Sequence, residues 1–319
     1  MGNITSIKIF GFMANWSPFF MAFVILVTAV FFLVTTRWYK EFEGGRPLTS
    51  REGALFAVNM ILLYAMYGSP VDLLSHILFT FHMVQMAFVL FLIAPLMYFS
   101  VPAYLQKYIV SLPVIGPVLR LGAKKPLISL MLLIAAFSIY HLPVVMDNLK
   151  MSATLHTLVL AVMFLTALMA FYPMFNKVEP EEEHMGGLFK LLYIFGIGAF
   201  VTPACALIIF SSTPIYATFT EGEAWLSAME LCVPSGILDS IFGAGMISGP
   251  EYFTNSTPLN DQQTGGIIMK VLQEVFFGVM LAHIFFKWFN EERRDANQIT
   301  ERALAKAQAQ KEMDNRFRA

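Results

Sequence analysis

Four of the six histidines in this 319-residue chain fall within or beside long apolar stretches. They are His76, His82, His141 and His156, and Met83, Met86, Met146 and Met151 accompany them. Imidazole and thioether together suit a soft ion, copper(I) above all, better than a hard oxygen-seeking cation. His82 and Met86 are four residues apart and share one face of a helix. On a continuous helix His76 and His82 lie about 240° apart and cannot both reach one ion. The spacing therefore gives a candidate metal site of His82, Met86, His141 and His156, with His76 at its mouth. A competing reading gives each imidazole a hydrogen bond to a neighbouring helix or backbone carbonyl, since polar groups in lipid must find partners. Two histidines on facing helices can also ligate haem b. One such haem fits the pattern. A second has only His283 and the loop residue His184 to draw on. No nucleophile–base–acid set, phosphate loop or zinc-protease motif occurs, so the expectation is a protein that is not an enzyme.

These residues depend on membrane helices for their position. Seven apolar stretches occupy 18–36, 54–67, 76–98, 127–146, 153–175, 188–211 and 267–289. Most reach the roughly 20 residues that cross about 30 Å of hydrocarbon. With 57% hydrophobic and 13% charged residues, the composition is that of a polytopic membrane protein rather than a soluble domain. Assigning the connecting loops to alternate sides puts 18 Lys and Arg on one side and only Lys8, Lys150 and Lys270 on the other. Cytoplasmic loops keep the positive excess, so the reading places the N-terminus outside and the C-terminus inside. His76, His82, His141 and His156 then lie at similar depth in the outer half.

The first stretch is too long for the apolar core of a signal peptide and is read as retained. Pro113, Gly116 and Pro117 interrupt 101–122, which is expected to lie on the cytoplasmic interface. The loop 212–266 has no Lys or Arg and is expected to form short helices on the outer surface. Cys205 and Cys232 sit near and within it, where an outer disulfide competes with two unrelated thiols. The formal net charge of −1 and the topological placement of the basic residues point to no nucleic-acid partner.

Two stretches go beyond composition. One runs from Ser75-His76 through His82-Met83-Val84-Gln85-Met86 to Ala94-Pro95. The other is Asp261-Gln262-Gln263-Thr264-Gly265-Gly266. With His141-Leu142-Pro143 and His156, the chain resembles the CtaG family of Gram-positive bacteria across about residues 18–290. The resemblance implies a seven-helix assembly factor for a caa3-type haem-copper cytochrome c oxidase, in contact with the oxidase subunits and handling copper. Met86 stands where the family pattern has a second histidine, and the loop 212–266 looks longer than the family's connection. By their own chemistry, Asp261 and Gln262 stand where an acid would cap the last helix, and Gly265 and Gly266 permit close helix approach.

The expectation is an all-α bundle of seven transmembrane helices over 1–290 in a bacterial cell membrane, followed by a cytoplasmic helical tail, 291–319. Its function is oxidase assembly with delivery of copper from the outer half. The alternatives are a membrane redox protein holding haem b, or a transporter.

Overall fold

The computed structural model describes residues 4–179, 185–220, 222–230, 233, 236–238 and 249–318. Among these residues the chain forms helices and no strands. After a 3-10 turn, Ile4–Phe10, come α1 (Gly11–Asn15), α2 (Pro18–Thr36), α3 (Ser50–Tyr67) and α4 (Pro70–Ile77). The helix α5 (Phe79–Ser100) is followed by α6 (Ala103–Ser111), α7 (Ile115–Lys124), α8 (Pro126–Tyr140) and α9 (Pro143–Lys150). The remainder are α10 (Ala153–Phe175), α11 (Gly187–Ile209), α12 (Gly222–Met229) and α13 (Pro258–Arg318).

Five stretches are long and apolar enough to cross a bilayer alone: Ile7–Thr36, α5, α10, α11 and Pro258–Arg294 of α13. Two bent pairs, α3 with α4 at 42° and α7 with α8 at 113°, are together long and apolar enough for one span each, which gives five to seven crossings among the described residues. The protein is thus an all-helical, multi-pass membrane protein. The caps explain where its helices begin. Ser17 accepts from Phe20 N ahead of Pro18, while Thr49 and Glu52 form a reciprocal capping box on α3. Pro126 and Pro143 open α8 and α9, where a missing N–H costs nothing. Inside α5, one π-turn at Val89–Ile93 absorbs Pro95, and Asn59 Nδ2 donates to Ile93 O at 3.3 Å.

Two expected segments are broken where the sequence reads as continuous. The stretch 76–98 divides at Leu78, whose backbone is extended (φ −124°, ψ 131°), so His76 ends α4 and His82 belongs to α5. The stretch 127–146 divides at His141-Leu142, because Pro143 starts a new helix. The interfacial stretch 101–122 forms α6 and most of α7. The final segment and the tail are one unbroken helix, α13.

The basic loops meet at one end of the bundle. Lys107 Nζ lies 2.9 Å from Glu43, Arg46 forks onto Glu52 at 2.7 and 2.9 Å, and Lys177 Nζ donates to Val101 O at 3.0 Å. At the opposite end, α4 packs with the N-terminal turn and α12 into a second apolar core around Phe10, Leu73, Ile77, Trp225 and Phe253. The histidines sit beneath that core.

Candidate functional site

The break at Leu78 makes the site. It frees Phe79 N and Thr80 N at the start of α5, and Asp261 of α13 accepts from both, at 2.7 and 3.3 Å. Thr80 Oγ1 donates in return to Asp261 O at 2.9 Å. The acid expected to cap its own helix therefore caps a different one, 182 residues earlier in sequence. Gln262 anchors the same corner. Its Oε1 accepts from Ile215 N at 2.8 Å and its Nε2 donates to Ile208 O at 3.2 Å. The glycines allow this approach. A Cβ on Gly265 would meet Phe79 Cδ1 at 2.8 Å and Thr80 Cα at 3.1 Å, and one on Gly266 would meet Ile209 Cγ1 at 2.7 Å.

With α4 and α5 separated, the 240° argument against His76 no longer holds. His76, His82, His141 and His156 are all buried and come from α4, α5, the α8–α9 junction and α10. They stand as two pairs. The rings of His76 and His156 are 5.4 Å apart, and those of His82 and His141 are 5.9 Å apart. Tyr140 lies between the pairs, 5.7 Å from His82 and 6.5 Å from His156. His141 Nδ1 is hydrogen-bonded to Phe137 O at 2.8 Å, which aims its Nε2 inward. Among the described residues, His76 Nδ1, His82 Nε2, His141 Nε2, His156 Nδ1 and the Tyr140 hydroxyl are buried without a hydrogen-bond partner.

Two imidazoles that bind one ion through nitrogen at about 2.0–2.1 Å place their ring centres roughly 5–6 Å apart. Both pairs meet that spacing. No three His, Cys, Asp or Glu side chains converge on one point among the described residues. The four histidines come together as two neighbouring pairs, His76 with His156 and His82 with His141. Met86 is buried in the main apolar core together with Met83 and Met146.

Sequence reasoning passed over three polar residues here. Lys150 ends α9, is fully buried, and holds its ammonium 3.7 Å from the centre of the Phe219 ring. Asp72 of α4 accepts from Gln85 Nε2 at 2.8 Å, and the same amide donates to Met66 O at 2.6 Å. Asp147 accepts from Ala217 N, Thr218 N and Thr218 Oγ1 at 3.0, 3.1 and 2.7 Å. That last set clamps the turn Ala217–Phe219 over the histidines, helped by Tyr216 donating to His141 O at 2.7 Å. A signal for Lys150 was present: it is one of three basic residues on the sparse side. Asp72 and Asp147 carried none, because their partners are distant in sequence.

Cys205 is a buried thiol in the main core. Cys232 and His184 lie outside the described residues. His283 sits at the basic end against Phe99, far along α13 from Asp261.

The fold and the site together define a multi-pass membrane protein with a buried cluster of four histidines at one end of its bundle. Residues 29–291 match the family model described as cytochrome c oxidase caa3 assembly factor (Caa3_CtaG), and the chain belongs to that family. It is a protein of the bacterial membrane. No curated protein and no solved structure matches it.

Proposed function

We propose that this protein assists assembly of a caa3-type oxidase by binding copper(I) between paired histidines at one end of its bundle and passing it to an oxidase subunit. The observation that carries the reading is the set of four buried imidazole nitrogens without partners, contributed by four separate segments. A buried imidazole costs free energy when unsatisfied, and a soft monovalent ion is a natural partner for two of them. Copper here is cargo, and the protein acts without catalysis. The Lys and Arg distribution favours placing this end on the outer face of the membrane. His76 with His156, and His82 with His141, are the pairs that would hold the ion.

Haem b is the weaker reading. The rings of Phe79, Tyr140, His141 and Phe219 all lie within 6.0 Å of the His82 ring, which argues against room for a macrocycle beside it. Copper titration of the purified protein, with an absorption spectrum, tests both. The expected outcome is copper(I) uptake with no Soret band, weakened about tenfold or more in His82→Ala (~1.4 kcal/mol). In cells His82→Ala should lower assembled oxidase while this protein's own level holds. Uptake unchanged when all four histidines are replaced, or a Soret band, would sink the copper reading.

A further inference from the structure

Inside the apolar stretch 267–289 of α13, one carboxylate faces outward. Glu274 lies seven residues past the start of that stretch, or about 10 Å at 1.5 Å per residue. Its side chain is 62% exposed, whereas its ion-pair partner Lys270, at 2.6 Å, is 26% exposed. Lys270 also donates inward to Gly198 O of α11 at 3.3 Å. Charged groups at this depth nearly always face a bundle interior, so a carboxylate turned toward lipid calls for something to cover it. A second observation lies on the same face. Gly278 and Ala282 follow Glu274 at steps of four, both exposed, and a Cβ built on Gly278 meets nothing within 4 Å. Nothing within this chain needs a glycine there. Small residues four apart are what another transmembrane helix needs for close backbone approach.

We propose that the Glu274–Gly278–Ala282 face of α13 docks a transmembrane helix of an oxidase subunit, one that presents a hydrogen-bond donor at the depth of Glu274. The carboxylate, held by Lys270 on one side, retains acceptor positions for such a donor. A second copy of this chain fits less well. A two-fold axis along the membrane normal would bring Glu274 against its own twin, and like charges repel in a low dielectric. The identity of the partner rests on the assembly role; the docking face is independent of whether copper binds.

A photo-crosslinking residue at Val275, in membranes holding the full-length chain and the co-expressed oxidase subunits, tests this. The expected product joins this chain to one oxidase subunit. Gly278→Leu and Glu274→Leu should each reduce it at least fivefold, and Glu274→Gln, which keeps an acceptor, should retain most of it. Gly278→Leu should accumulate normally, since its side chain enters open space; Glu274→Leu also takes away the partner of Lys270, so it is compared only where its level matches the parent. If either level falls short, the parent crosslink and Glu274→Gln decide alone. A crosslink only to a second copy, none to any subunit, or a yield unchanged by Gly278→Leu overturns the proposal. Copper uptake of the purified variants separates the two ideas. Loss of the crosslink with normal uptake removes only the docking face, and a crosslink without uptake removes only copper delivery.

Discussion

Lys150 is a fully buried cation beside the histidine pairs. Its ammonium lies 3.7 Å from the centre of the Phe219 ring and has further interactions within the chain. Replacing it by leucine removes those contacts and is expected to cost about 2 kcal/mol of stability. Thermal unfolding of the purified variant in detergent measures this, and an unchanged midpoint would show that the ammonium contributes nothing to the fold. The histidines themselves were legible in the sequence, because ionisable residues stand out in apolar segments. Their pairing was not. It depends on a backbone break that no residue at position 78 announces, since Leu78 sits in an apolar run without proline or glycine. Met86, whose spacing from His82 suggests a ligand, is buried in the main core, where a thioether also serves packing.

At the scale of elements, the join between α5 and α13 fixes the helix start beside the histidine cluster. Asp261→Ala would leave Phe79 N and Thr80 N without their acceptor, at a cost of about 1–3 kcal/mol. Asp261→Asn should recover only part of this, because its single carbonyl oxygen can accept from one of the two N–H groups while its NH2 faces the other. Thermal unfolding in detergent should rank the parent above the asparagine variant and both above the alanine variant. Equal midpoints would mean that the cap contributes nothing. The helices α2, α3 and α10 follow apolar length and clear caps, and α11 follows apolar length alone, so their bounds were close to legible. The breaks at Leu78 and His141-Leu142 were less so. Only Pro143 signals the second, and the first is stabilised by an acid 182 residues away. The DQxxGG stretch was visible as a motif. Which helix it serves required the third dimension.

For the whole molecule, the distribution of basic residues makes the firmest claim. The loops carrying Arg46, Lys107 and Lys177 converge at one end, and the histidine cluster occupies the other. In a background lacking Cys205 and Cys232, a cysteine at Ser212 should react with an impermeant maleimide on intact cells. One at Thr300 should react only after lysis. Labelling of Thr300→Cys from outside would invert the orientation and move the cluster to the cytoplasmic face. The apolar spans are written in the sequence because lipid imposes their composition residue by residue. The 113° bend between α7 and α8 is not, because it follows from how Pro126 and its neighbours pack.

The Asp261 cap also orders events in time. Residues through His156 emerge from the ribosome well before Asp261, and Phe79 and Asp261 are separated by 182 residues. At roughly 5–20 residues per second, the start of α5 waits about 10–40 s for its acceptor. The Ala217–Phe219 turn arrives within the same interval. The four imidazoles are therefore inserted early, but the start of α5 is capped only when the last helix enters the membrane. The hydrogen bonds that fix the start of α5 beside His82 are among the last that the growing chain can make.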